Sequence, residues 1–232
     1  MTATEDLFTP IHKGLRSMIY SLSSRLQTND FADLSATKAL ATDLENEFEV
    51  ARSAGCVLCV LAHHATDEES VIFPAVSEVG RNLIVNLIQE HHDLTRRELA
   101  IGKAAHTLLG LESPAARIEA GIALNRAANE LFAAYITHMN REDAELVPLM
   151  REHFSVPQMA AMRGTIISNM PPDRLFNILG WMLPSLNVSE LSEVLSGMSK
   201  GAPAPVIKAI VDLCSAKVDP TRWKEVRLRT GL

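Results

Sequence analysis

Two distant segments of the chain share one skeleton. In HATDEESVIFP, His64 is followed by Glu68 at the fourth residue and Pro74 at the tenth; in HMNREDAELVP, His138 is followed by Glu142 and Pro148 at the same steps. Residues four apart on an α-helix project from one face, offset by about 40°, so each segment presents an imidazole and a carboxylate together. The rest of each face is largely apolar: Val57, Val60, Leu61, Val71 and Ile72 surround the first pair, and Leu131, Ala134, Tyr135 and Leu146 the second. A fold that buries these faces buries two carboxylates, which costs several kcal/mol each unless a cation answers them. No inward Lys or Arg is evident.

The remainder of the pattern is helical. β-Branched alternation is rare, and apolar residues recur at helical spacing over long stretches. A first stripe runs through Phe8, Ile11, Leu15, Ile19, Leu22 and Leu26, with Thr9 and Pro10 as start residues. The break TNDFADLS ends it. A second helix is expected from about 35 to 73, stopped by Pro74, whose ring removes a donor and clashes with the preceding turn. A third is expected over 82–109, and a fourth over 117–147, before Pro148. Four long helices with short connections imply an all-α, up-down-up-down four-helix bundle occupying residues 1–155. In residues 156–232, Pro172, Pro184 and the stretch from Gly201 to Pro205 cut the chain into an extension of three or four short helices, packed on the bundle or on a protein partner. The basic end TRWKEVRLRTGL is expected to be a loose tail.

Composition narrows the function classes. The 232 residues are 47% hydrophobic, ample for a packed core. A net charge of -6 with scattered basic residues offers no stripe for phosphates, so nucleic acid is not the expected partner. No apolar run approaches the ~18 residues of a membrane span, and the acidic start MTATEDLFTP has no leader core, so the expected location is cytoplasmic. Three cysteines make no secreted disulfide framework. Cys56 and Cys59 lie within one turn, but a zinc site would want a fourth ligand, and the favoured expectation is small residues packing against a neighbouring helix.

Face positions choose the remaining candidate ligands. His91 lines up with Ile84, Leu87, Ile88 and Leu94, whereas His92 shares its side with Gln89 and Arg96 as well as Val85 and Ile88, so His91 is the better inward candidate; His12 lies in the first stripe between Phe8 and Leu15. Every bundle helix then carries an inward histidine. The expected metal ligands are His12, His64, Glu68, His91, His138 and Glu142. Four imidazoles with two carboxylates suit iron or manganese better than a cation that wants only oxygen, and six ligands exceed the four of a structural zinc site. Two carboxylates between histidine pairs can bridge two ions, so a non-haem di-iron centre is expected, with manganese or zinc as substitutes. Tyr135, one turn before His138, is placed either to donate a hydrogen bond near the metals or to serve as an ordinary core tyrosine.

PIHKGLR around His12, HATDEESVIFP, EHHDL around His91 and HMNREDAELVP together resemble the hemerythrin-like (HHE cation-binding) family over the first 150 or so residues. The following segment, through NMPPDRLFNILGWMLPSLNVSELSEVL, is similar to the one that follows the hemerythrin-like domains of plant iron-sensing ubiquitin ligases, although no RING zinc pattern is present. The resemblance implies a four-helix bundle with a non-haem di-iron site held by the six residues above. It implies a protein that senses or buffers iron, oxygen or nitric oxide, with a small diatomic molecule as ligand and a protein partner reached through the C-terminal helices. Oxygen-carrying members have a further histidine four residues after the one on the third helix; here that position is Thr95, which puts reversible oxygen transport in doubt and leaves Glu98 as a weak substitute ligand. A di-iron oxidase or peroxidase is the alternative. It is disfavoured because catalytic bundles of the ferritin kind carry Glu-x-x-His, not His-x-x-x-Glu.

Overall fold

A computed structural model describes residues 6–41, 44 and 56–232, and among them all regular structure is helical. The helices are α1 (Thr9–Thr28), α2 (Leu34–Ala41), α3 (Val57–Asp67), α4 (Phe73–Leu109), α5 (Pro114–Arg141), α6 (Val147–His153), α7 (Val156–Asn169), α8 (Pro172–Ser185), α9 (Val188–Ser199), α10 (Ala204–Lys217) and α11 (Pro220–Thr230). They fall into two compact units, Met18–Leu149 and Met1–Ser17 with Met150–Leu232.

The first unit is the bundle. Its helices run from Met18 along α1, along α3 into the start of α4, along the rest of α4, and along α5. Gly80, at φ -135° and ψ 34°, is the one non-helical residue inside α4, and the chain folds back there. This hairpin is why Glu69, eleven residues before Gly80, meets His91, eleven residues after it. Val57–Leu109 has the length and mean hydropathy, 1.4, of a membrane span by composition alone, and the chain folds back within it at Gly80. Ser113 caps α5 by accepting from the Ala116 N–H, and Pro114 occupies the first helical position. One arginine ties the loops at this end together. The buried Arg117 guanidinium donates to the carbonyls of Phe31, Ala32, Leu111 and Glu112. Beside it, the Phe31 ring lies over Gly121, where a Cβ would stand 2.2 Å from the ring.

Two corrections concern the prolines. The second helix does not stop at Pro74, nor the fourth before Pro148. The α3 path continues through a π-helical stretch, Glu68–Ile72, into α4, and α5 continues through Glu142–Leu146 into α6. In both stretches the closing bond reaches back five positions, Phe73 N–H to the Glu68 carbonyl and Val147 N–H to the Glu142 carbonyl. The widened turn absorbs the donor that each proline lacks and relieves its ring's clash with the preceding carbonyl, so the helix carries on. Of the long second helix expected from residue 35, α2 and α3 are separate pieces; residues 42–43 and 45–55 lie outside the described residues.

In the second unit, α8 to α11 enclose a core of Leu179, Leu183, Leu186, Leu191, Leu195, Ile210, Cys214, Trp223 and Val226. Proline stands at the first or second position of α7, α8, α10 and α11, while α9 opens with a reciprocal cap between Asn187 and Glu190. Residues 156–232 thus form five short helices, not three or four. The expected loose tail is helix α11: Asp219 caps it, Trp223 and Val226 bury its apolar side, and Gly231 closes it at φ 72°. On this unit's part of α1, Asp6 caps the first turn through the Phe8 and Thr9 N–H groups. A Cβ at Gly14 would stand 2.9 Å from the Met182 backbone, so only glycine permits that approach.

Candidate metal centre

Five of the six expected ligands stand in the bundle unit. Helix α3 carries His64 one turn before Glu68, and Nε2 lies 3.1 Å from Oε1. On α5, His138 Nε2 lies 3.3 Å from Glu142 Oε1. His91 on α4 comes between them, 3.3 Å from Glu68 Oε2. Its Nε2 faces His138 Nε2 at 2.8 Å. Donor atoms of Glu68, His91, His138 and Glu142 all lie within 4.8 Å of one another, and all four residues are buried. Of the adjacent histidines, His91 is 2% exposed and His92 exposed, while His63 and His64 are both half-buried. The sixth, His12, is fully buried on α1 in the other unit, where Phe8 packs edge-on at 5.4 Å between ring centroids.

The carboxylates behind the two imidazoles fix which nitrogen is free. Glu69 Oε1 lies 2.8 Å from His91 Nδ1, and Glu90 Oε2 lies 2.8 Å from His138 Nδ1. A carboxylate can only accept, so Glu69 and Glu90 favour a proton on each Nδ1, and in the singly protonated imidazole that leaves Nε2 as the base that faces Glu68 or Glu142. Two such nitrogens 2.8 Å apart repel through their lone pairs unless a proton or a metal ion lies between them. The donor set therefore fits a transition ion on its own geometry: two nitrogen bases and two carboxylates converge, and the outer partners that orient metal-bound histidines are in place. Phe73 stacks on the His91 ring at 5.3 Å and keeps that side dry. With no metal bound, protonation of the imidazoles answers the two carboxylates. Burial works against charging His138, but the hydrogen bond and charge of Glu142 prevail and lift it to about 9. For His91 burial is likewise outweighed, chiefly by Glu68, and its value is raised.

Glu69, Glu90 and Arg141 join the cluster from positions outside the expected ligand set. Glu90 is itself held by Arg141 Nη1 at 2.5 Å, and Arg141 also reaches Glu145. Adjacency was the only available signal: Glu69 follows Glu68, Glu90 precedes His91 and Arg141 precedes Glu142, so each stands beside an inward ligand. Tyr135 proves to be a core tyrosine with a specific partner, donating its hydroxyl to Glu98 Oε1. Glu98, the weak substitute for the missing histidine, is fully buried and is not among the donors that cluster within 4.8 Å. Burial lifts the Glu98 carboxyl to about 7, opposed by the Tyr135 hydrogen bond and the His91 charge. The Tyr135 hydroxyl is raised well above its ordinary value, first by burial and then by Glu98. Cys56 and Cys59 are not merely small packing residues: they form a disulfide at the start of α3. Their spacing suits a bond once Cys56 sits at the cap, a conformation that spacing alone does not specify.

The profile of the Hemerythrin HHE cation binding domain matches residues 5–150. Two BRUTUS-like zinc finger proteins of Arabidopsis thaliana are similar to the chain. One is 26% identical over 196 residues, 84% of this chain and 15% of the relative; the other is 25% identical over 188 residues, 81% and 14%. The chain thus spans about one seventh of the length of these curated relatives. No solved structure matches it significantly.

Proposed function

The chain belongs to the hemerythrin HHE cation-binding family, and from that membership we propose that it holds a non-haem pair of iron ions and senses or buffers iron, oxygen or nitric oxide. The observation that carries the reading is the meeting of His91 Nε2 and His138 Nε2 at 2.8 Å between Glu68 and Glu142. His64, Glu68, His91, His138 and Glu142 are the proposed ligands on the bundle unit, and His12 the proposed sixth. Iron bound there supplies a centre that exchanges electrons with oxygen and binds nitric oxide. The chain's own groups do the rest. Glu69 and Glu90 hold each imidazole in the tautomer that leaves Nε2 free, Phe73 excludes water from one side of His91, and Glu98 with Tyr135 forms a buried proton-holding pair on the same bundle. Thr95 leaves the third helix one donor short of an oxygen carrier, which suits a reporter or buffer better than a transporter. The second unit is proposed to meet a protein partner, and the proposed location is the cytoplasm.

Anaerobic loading with ferrous iron, followed by metal analysis and visible spectra under oxygen and nitric oxide, tests this. About two ions per chain and a changed spectrum with either gas are expected. Loading should also raise the melting temperature, because ligands held by metal add folding free energy that the chelated protein lacks. Fewer than about one ion per chain after loading would overturn the reading. An oxidase would consume oxygen or peroxide over many cycles, where a sensor or buffer reacts once.

A further inference from the structure

The bundle unit carries a second chemical feature on the helix that bears His64 and Glu68. Cys56 is the cap of α3, its sulfur accepts from the Cys59 N–H at 3.0 Å, and the two cysteines are joined as a disulfide. We propose that Cys56 and Cys59 form a reversible dithiol–disulfide site, oxidised by peroxide and reduced by small thiols, whose state sets how firmly α3 presents its metal ligands.

Loop length argues for chemistry over stapling. A bridge across two intervening residues closes almost no chain, so it restricts the unfolded state less than nearly any other disulfide. Position argues the same way. The first-turn N–H groups of a helix favour negative charge on a sulfur at its cap, the arrangement that speeds attack and departure of a thiolate. His64 follows Cys59 by five residues and Glu68 by nine, so at 1.5 Å per residue they lie about 7.5 and 13.5 Å along the same rigid rod. Fixing the first turn of α3 therefore bears on the azimuth of both ligands. Cys56 is 2% exposed and Cys59 1%, so peroxide and small thiols alike reach the sulfurs through local opening of the first turn of α3. The third cysteine is a built-in comparison: Cys214 is free, buried in the other unit, and pushed up to about 11 by burial, so it stays protonated.

The chemistry balances. Peroxide loses its O–O bond, the two sulfurs join, and the two thiol protons leave in two waters. In reverse, two small thiols supply the two electrons and two protons and end as their own disulfide.

The coupling to metal rests on the function proposed above, and the experiment separates the two. The full chain is reduced with dithiothreitol, loaded with ferrous iron or left metal-free, treated with hydrogen peroxide and probed by differential alkylation and mass spectrometry. Cys56 and Cys59 should lose alkylation together while Cys214 keeps it, in metal-free protein as well. Iron transfer to a chelator, measured anaerobically on the disulfide and dithiol forms, should differ by roughly tenfold, the scale of changes in groups that orient ligands. The C56S/C59S double variant should release iron at the dithiol rate whether or not peroxide was added. Oxidation of Cys56 and Cys59 no faster than that of Cys214 would overturn the redox site. Equal release from both forms would overturn the coupling alone, whereas a chain that holds no iron in either form overturns the coupling together with the proposed function.

Discussion

Replacing Glu90 by alanine isolates the worth of orienting a ligand without touching any donor atom. Glu90 Oε2 holds His138 Nδ1 at 2.8 Å, and its other oxygen is gripped by Arg141 at 2.5 Å, so its removal frees the imidazole to rotate and to place its proton on Nε2. Loss of such a partner costs roughly 10–100-fold in metal affinity. Glu90 is about one-third exposed, 34%, so solvent screens the interaction and the lower end applies: about tenfold, or ~1.4 kcal/mol. Ferrous affinity is measured by anaerobic competition with a chelator at fixed pH, and circular dichroism verifies that the variant is folded. E90Q keeps an acceptor oxygen for Nδ1–H and should recover most of the loss. An affinity for E90A within about twofold of the parent, with the fold intact, would refute the claim that this carboxylate sets the tautomer.

Three further outcomes follow from the bundle. R117M strips the donors from four loop carbonyls and should lower unfolding free energy by about 3 kcal/mol, read from the urea midpoint; an unmoved midpoint would show that water replaces the guanidinium at no cost. Glu98 is raised from 4.5 to about 7 by burial, so folding prefers its neutral form, and its contribution is complete below pH 4.5 and lost as pH rises to about 7. E98Q should therefore match the parent at pH 4.5 and exceed it above pH 7 by at most ~3 kcal/mol; equal melting temperatures at pH 8 would contradict the raised value. His138 is raised from 6.5 to about 9, so in metal-free protein its contribution is complete below pH 6.5 and lost as pH rises through 9. Chelated E98Q protein, free of the lower window, should still lose up to ~3 kcal/mol between those limits, while iron affinity should grow with pH as the metal displaces that proton.

Periodicity distinguishes one pair of adjacent histidines and not the other: His91 falls in line with Ile84, Leu87 and Leu94 and is buried while His92 is exposed, whereas His63 and His64 are both half-buried. The carboxylates behind the imidazoles are less legible. Glu69 and Glu90 lie at the edge of the core with 38% and 34% of the side chain exposed, and a partly solvated acid on a helix looks like any surface acid until the opposing histidine is located. Passage of the helices through Pro74 and Pro148 was hidden for a different reason. The rule that proline stops a helix presumes an α turn before it, and the π turns remove the clash on which that rule depends. Helix α11 had its signals, Asp219 before Pro220 and Gly231 after the last turn, but its basic composition suggested a solvated tail. The chain bears out the local punctuation over the overall charge.

Each π turn amounts to one surplus residue inserted just after the glutamate. With 3.6 residues per turn, removing that residue would swing everything downstream by about 100° about the axis while leaving His64 and Glu68, or His138 and Glu142, on their original side. Phe73 and Val76 would then turn away from the interior that the imidazoles occupy. A single-codon deletion anywhere in 69–72 or 143–146 would thus spare the donors, straighten the rod and misalign the two ends of the scaffold. At the exposed Ser70 and Ala144, tolerance to substitution and intolerance to shortening should coexist.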